Sequence, residues 1–424
     1  MSQTSERPQV ASGQVGNRWI SLFAISWLGI WLAQLTPFQL TLPEQVNELL
    51  GLDGNNLAQS QWHRSVIGFG IVSGISAIFA LIAFPVAGSL SDRTTGRLGR
   101  RRPWIFSGVA LFAIALVLMG FQHSWVGLAI CWSLVITGFS VASSALTALI
   151  SDQVPVYQRG VVSSWVSAPQ ALGVVIGVAL VSILGLSPVP AYLLVAVLLI
   201  VCTLPFAFYL QDPPVGDHGL PSFNLRAVWN ELWISPLRER DFGWTLLGRI
   251  LVNIGNALGT SLLFFLLQFG LHVADPADKV LTLTLVYTVC VVIAALVSGR
   301  LSDRWRMRKP FVLGAGVLQG LAAIVIAIQP TLTSTAIAAG LLGAGFGCFL
   351  GVDQALATQV LPDAATTGKD LGIMNIAMAV PQAVGPLIGA LVVAWFGGFT
   401  ALYIASAVFG ILGGLSVMRV RGVR

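Results

Sequence analysis

The chain has 424 residues, of which 56% are hydrophobic and only 9% charged, with a formal net charge of +6. A mean hydropathy of +0.84 excludes the two or three soluble domains that the length alone suggests. The positive charge is spread over short loops rather than a basic domain, which excludes nucleic acid as a partner. The absence of a GxxxxGK[ST] phosphate loop argues against ATP as a driving force.

Apolar windows of at least ~18 residues are long enough to cross a bilayer as helices. They recur at 19–42, 65–90, 103–122, 125–150, 161–186, 190–210, 243–270, 280–301, 310–329, 333–360, 369–394 and 397–418. The first residues are polar, without an apolar core or a small-residue cleavage site, so no removable leader is expected. If both termini are cytoplasmic, the inside segments hold 20 of the 23 Lys and Arg, with Arg64 and Lys279 outside and Arg249 within a span. That asymmetry is a positive-inside pattern, so an inner-membrane, multi-pass protein with both termini cytoplasmic is expected. The four cysteines fall in predicted spans with no CxxC pair, and neither a metal nor any other cofactor is expected.

The stretch SDRTTGRLGRRRPW, Ser91 to Trp104, carries five arginines, Arg93, Arg97, Arg100, Arg101 and Arg102, and a thinner copy, SDRWRMRKPF, runs from Ser302 to Phe311. Asp92 and Asp303 are 211 residues apart. APQALGVVIG (Ala168–Gly177) likewise matches VPQAVGPLIG (Val380–Gly389), with Gln170 and Gln382 212 residues apart. A shared offset of half the chain implies two six-span halves in parallel orientation, an architecture of secondary transporters. The expected parts are an N-terminal tail (1–17), a first bundle (18–210), a linker (211–241), a second bundle (242–418) and a C-terminal tail (419–424).

At these residues the chain resembles the major facilitator superfamily, and GRRRP preceded by SDR resembles its glycoside–pentoside–hexuronide and plant sucrose-transporter branch. The resemblance implies an all-α membrane protein, twelve transmembrane helices in two parallel six-helix repeats. It also implies alternating access around a cavity lined by the first, fourth, seventh and tenth helices. On physical grounds the two loops suit a gate. Gly88 lets helices approach closely, and Asp92 and Asp303 can accept hydrogen bonds from facing helix N-termini near Gly368 and Arg159–Gly160. Gly88, Asp92, Arg93, Arg97, Arg101, Asp303 and Arg304 are the candidate gating residues; topology signalling alone is the competing reading.

Four spans show polar or aromatic stripes at helical spacing: Trp27, Trp31, Gln34 and Phe38; Ser140, Ser143, Ser144 and Thr147; Arg249, Asn253, Asn256 and Thr260; and Phe346, Phe349 or Leu350, Asp353 and Ala357. Arg249 and Asp353 are the only clear charges deep in spans. Each lies ~10 Å from its cytoplasmic helix end, which suggests an ion pair that loosens on protonation of Asp353 or on substrate binding; a static structural pair is the alternative. The corresponding span-four stretch, Leu134–Thr137, lacks the coupling aspartate of sucrose transporters, and the acids of sodium-using members are absent, so sodium is not expected. Trp31, Gln34, Asn253, Asn256 and Gln382 are the leading substrate-binding candidates, because amides and ring faces suit a neutral polyhydroxylated ligand. The expected function is proton-coupled transport of a sugar or glycoside by a monomer in the lipid bilayer. Proton-antiport export of a small metabolite or drug is the alternative, and no constellation for enzymatic chemistry is present.

Overall fold

A computed structural model describes residues 14–52, 59–212, 239–360 and 367–422. Most of the expected linker and N-terminal tail therefore lies outside the described residues. So do the side chains of Arg159, Gln354, Lys369 and Asn375.

Twelve long helical elements follow one another among the described residues. They are α1 (Asn17–Leu49), α2 (Gln59–Asp92), α3 (Arg102–Gly120), α4 (Trp125–Gln153), α5 (Val156–Ile183), α6 (Pro188–Tyr209), α7 (Arg240–Gly270), α8 (Pro276–Trp305), α9 (Lys309–Ile328), α10 (Leu332–Gln359), α11 (Thr367–Phe396) and α12 (Phe399–Val417). Among the described residues, ten are long and apolar enough to span a membrane. The other two, α5 and α11, have shorter apolar stretches, Ala168–Ile183 and Val380–Phe396. Their first turns are polar in sequence, with Ser163, Ser164 and Ser167 in α5 and Lys369, Asp370 and Asn375 in α11.

The first helix outruns its apolar window, which ends at 42, and continues to Leu49. Pro37 lacks an amide hydrogen and cannot continue an unbroken ladder. The chain answers with a π-turn over Pro37–Thr41, closed by Leu42 N–H to Pro37 C=O. The polar turn beyond it is held by tertiary partners. Gln45 Nε2 donates to Met119 C=O at 2.8 Å, and Tyr192 Oη donates to Gln45 Oε1 at 3.0 Å. A second π-turn, Leu266–Gly270, ends α7.

Each half repeats one packing pattern. α1 packs on α5 and α6, α2 on α4, and α3 on α4 and α6; α7 packs on α11 and α12, α8 on α10, and α9 on α10 and α12. The halves meet along α2–α11 and α5–α8. The repeated glycines explain the corresponding contacts. A Cβ on Gly173 of α5 would lie 2.8 Å from the Leu32 nitrogen of α1, and one on Gly385 of α11 would lie 2.6 Å from Ala257 Cβ of α7. With no hydrophobic driving force between helices in lipid, such close backbone approach supplies much of the attraction.

The first and last described residues lie on one face. Trp19 Nε1 donates to Gln153 Oε1 there, and the Arg421 and Gly422 amides donate to Asp241.

Candidate functional site

A cavity of about 160 Å³ lies between the halves. The first half contributes Gln34, Leu35, Phe38 and Gln39 from α1 and Gln170, Ala171 and Val174 from α5. The second half contributes more: Asn256, Thr260 and Ser261 of α7, Thr284, Tyr287 and Thr288 of α8, and Gln382 of α11, among apolar side chains of α8, α9, α10 and α12. The cavity is thus displaced toward the second half; α5, α8, α9, α11 and α12 join the wall beyond the four helices expected, and α4 is absent from the described lining. The described lining is mostly apolar, with amides and hydroxyls scattered through it and no Asp, Glu, Lys, Arg or His.

Three of the expected substrate-binding residues, Gln34, Asn256 and Gln382, line this cavity. Gln170, the partner of Gln382 in the sequence repeat, lines it from the opposite half. Reasoning from sequence passed it over although the repeat had marked it. Tyr287 donates to Asn256 Oδ1 at 3.0 Å, and no sequence pattern pointed to it. Trp31 and Asn253 are not part of the described lining. Trp31 Nε1 donates to Val166 C=O at 3.1 Å, and its ring packs between Trp27 and Phe139. Asn253 Nδ2 donates to Arg249 C=O at 2.8 Å.

The α4 stripe does not reach the described lining either. Ser140 donates to Ile136 C=O at 2.7 Å, Ser143 to Phe139 C=O, and Ser144 across to Phe84 C=O of α2 at 3.5 Å. Ser140 and Ser143 thus return to carbonyls of their own helix and Ser144 to α2, while Thr147 at the end of the stripe is exposed.

Arg249 and Asp353 meet on the terminus side of the cavity. Arg249 Nη1 lies 3.0 Å from Asp353 Oδ2, with the two side chains 3% and 5% exposed. α7 supplies the arginine two turns below Asn256, and α10 supplies the aspartate one turn below Leu350, so the pair sits under the cavity floor. Arg249 Nη2 also contacts Met378 Sδ of α11 at 3.9 Å. Arg249 Nε and Asn253 Oδ1 are buried without a hydrogen-bond partner among the described residues. An enclosed pair with spare donors and acceptors is costly to break and able to exchange partners.

The loop between α2 and α3 is a network. Asp92 accepts from Arg101, whose Nε bonds Asp152 Oδ2 of α4 at 2.7 Å, while Arg100 reaches Asp152 Oδ1 at 2.7 Å. Asp212 Oδ2 accepts from the Arg101 and Arg102 amides at 2.6 and 2.9 Å. Burial alone lowers the proton affinity of Arg101, but the bonds and charges of Asp152 and Asp92 outweigh it, and its pKa is raised above the ordinary value. Gly88 lies against α4, where an added Cβ would stand 3.2 Å from Ser144 Oγ. Arg97 is exposed and Arg93 half-buried. In the second loop Asp303 pairs with Arg308, and Arg304 is exposed. The helix ends expected to face Asp92 and Asp303 belong to residues whose side chains lie outside the described set.

On the face opposite the termini the halves are joined. Asn47 Nδ2 donates to Gln268 Oε1 at 2.7 Å, Thr284 Oγ1 to Gln39 Oε1 at 3.3 Å, and Ser182 Oγ to Asp278 Oδ1 at 3.0 Å. Trp62 stacks on Phe269 and Phe399, with centroids 6.1 and 5.2 Å away.

Paired helix bundles, a repeated loop and a cavity at their interface define a membrane transport protein of the two-bundle type. The family model described as Major Facilitator Superfamily matches residues 17–318 and 278–423, and the chain belongs to that family. Its curated relatives include "Multidrug resistance protein MdtG" of Proteus mirabilis (strain HI4320), 27% identical over 414 residues that cover 92% of this chain and 94% of the relative. The proteins of that name from Dickeya zeae (strain Ech586) and Yersinia enterocolitica serotype O:8 / biotype 1B (strain NCTC 13174 / 8081) are each 27% identical. They cover 92% of this chain and 91% and 90% of themselves. The relatives do not single out the sugar branch that the loop motif resembles.

Proposed function

We propose that the chain is a proton-driven exporter of small amphipathic molecules, embedded in the cytoplasmic membrane as a monomer with both termini inside. The buried Arg249–Asp353 pair, 3.0 Å apart beneath the cavity, carries this reading. In the proposal Asp353 takes a proton, Arg249 is released from it, and the α7–α10 contact loosens so that the cavity changes the face it opens to. The substrate occupies the cavity against Gln34, Asn256 and Gln382, while Trp31 and Asn253 act from behind the wall. Gly88, Asp92, Arg93, Arg97, Arg101, Asp303 and Arg304 work the cytoplasmic gate. With the termini inside, the face joined through Asn47 and Gln268 is the outer one.

Export is preferred to the sugar symport that the loop motif suggests for two reasons. The described cavity wall is largely apolar, which suits an amphipathic ligand better than a polyhydroxylated one. The similar curated proteins carry a multidrug resistance name.

The test uses inverted vesicles with an acidic lumen and a pH-sensitive dye. Amphipathic antibiotics should draw protons out of the lumen with wild-type protein, and Asp353→Asn should abolish that signal while retaining substrate binding. Proton movement driven by mono- or disaccharides, with none driven by antibiotics, would overturn export and restore sugar symport.

A further inference from the structure

We infer that the transport site selects uncharged amphipathic solutes carrying a hydrogen-bond donor, and rejects permanent organic cations. The inference rests on the proposed role of the central cavity and adds the charge class of its ligand.

The argument begins with charge. More than five residues from a helix end, the twelve helices contain only two charged side chains, Arg249 and Asp353. This holds whatever face the cavity opens to, because it is a property of the sequence. The two neutralise each other at 3.0 Å and are both buried. A cation drawn into the cavity would therefore find no free carboxylate. It would lose its hydration and keep only amide and hydroxyl dipoles, and an uncompensated charge in such surroundings is strongly disfavoured. Capturing Asp353 would strand Arg249, which exchanges one unpaired charge for another.

Hydrogen bonding gives the second half of the specificity. Most polar groups of the wall are already engaged: Asn256 Oδ1 accepts from Tyr287, Thr260 Oγ1 donates to Asn256 C=O and Ser406 Oγ donates to Gly255 C=O. Two lining residues differ. Gln34 Oε1 and Ser261 Oγ are buried without a partner among the described residues. An unmade bond at a buried acceptor is costly, so a ligand that brings an O–H or N–H to Gln34 gains affinity there. Phe38, Tyr287 and Phe346 supply flat apolar surface around it.

The experiment uses the full-length protein in lipid nanodiscs and two triaryl probes of similar bulk. Triphenylmethanol is neutral and donates an O–H; tetraphenylphosphonium is a permanent cation. Equilibrium binding of the radiolabelled probes is measured against empty nanodiscs. Triphenylmethanol should bind at least about tenfold tighter than tetraphenylphosphonium, a difference in binding free energy readily resolved. Gln34→Leu should weaken triphenylmethanol about threefold to tenfold, the effect of one lost hydrogen bond. Asn256→Asp, nearly isosteric, puts a carboxylate in the wall and should strengthen tetraphenylphosphonium about tenfold or more. This gain keeps the test meaningful if Gln34→Leu folds badly.

Equal or tighter binding of the cation by wild type overturns the inference and leaves proton-driven export standing, since that reading is tested separately by proton release. Failure of both probes to bind overturns it as well. So does triphenylmethanol binding that neither variant alters, because the neutral probe would then sit outside this cavity.

Discussion

The two copies of the repeated loop begin with the same Ser-Asp-Arg and tie together different things. In the first, the Arg101 side chain is 4% exposed and reaches both Asp92 of α2 and Asp152 of α4, while Asp212 beyond α6 holds the Arg101 and Arg102 amides. In the second, Arg308 is 13% exposed and bonds Asp303 and Ser302, both at the end of α8 just before it. One loop fastens three helices and the chain leaving the bundle; the other braces a helix end. The difference follows from the residues available. Asp152-Gln153-Val154 ends α4, whereas the end of α10 reads Thr358-Gln359-Val360, with no carboxylate among those three; the next acid, Asp363, lies outside the described residues. Both halves keep the positive loop, but among the described residues the wider electrostatic network forms in the first.

The largest expected effect is that of Arg101→Ala. It leaves Asp92 and Asp152 without their shared partner. Removing one member of a fully buried pair costs ~3–5 kcal/mol, and because Asp92 is 58% exposed the expected loss is smaller, about 2–3 kcal/mol. Thermal unfolding in detergent should show a clear drop in midpoint. Arg101→Lys should recover only part of it, since an ammonium cannot hold two carboxylates in a planar fork. A loss no greater than that of Arg308→Ala would erase the contrast between the loops. Next in size is Gly99→Ala. Gly99 has φ of +88°, and an added Cβ would stand 2.2 Å from the Asp212 carbonyl oxygen. Left-handed strain alone costs about 1–2 kcal/mol, and the displaced Asp212 should release the Arg101 amide, so its effect should shrink when measured on an Arg101→Ala background.

Much of this was legible in the sequence because the bilayer imposes a strong rule. A helix must satisfy its own backbone and cover itself with apolar residues, so span positions, the two-fold repeat and the depth of Arg249 and Asp353 could all be read directly. The extension of α1 to Leu49 could not, because its polar last turns are held by Met119 and Tyr192, far away in sequence. The cavity wall was legible only in part. On α7 the stripe Arg249, Asn253, Asn256, Thr260 shares one face, but its lower members meet α10 and their own helix while its upper members meet the cavity. Periodicity gives the face of a helix and says nothing of how far along it a cavity extends. On α4, spacing alone could not separate hydroxyls facing water from hydroxyls returned to the backbone, a common habit of serine in helices. Tyr287 entered through the offset of the cavity into the second half, which only the packed structure reveals, whereas Gln170 was already marked as the repeat partner of Gln382.

The smallest effect is the one that sharpens the comparison most. Arg308→Ala removes a pair whose acid, Asp303, is 69% exposed. Such a pair is worth roughly 0–1 kcal/mol, because water screens it and the side chains lose entropy to form it. Salt should separate the loops without any mutation confounding the fold. At ~1 M ionic strength the Debye length falls to ~3 Å, so the difference between wild type and Arg308→Ala should vanish. That between wild type and Arg101→Ala should persist, since the Arg101 guanidinium is nearly sealed from solvent. The two variants melted at low and high salt give four shifts. If the Arg101→Ala shift also collapses in salt, the enclosed network is no stronger than a surface pair, and the first loop earns its five arginines by topology alone.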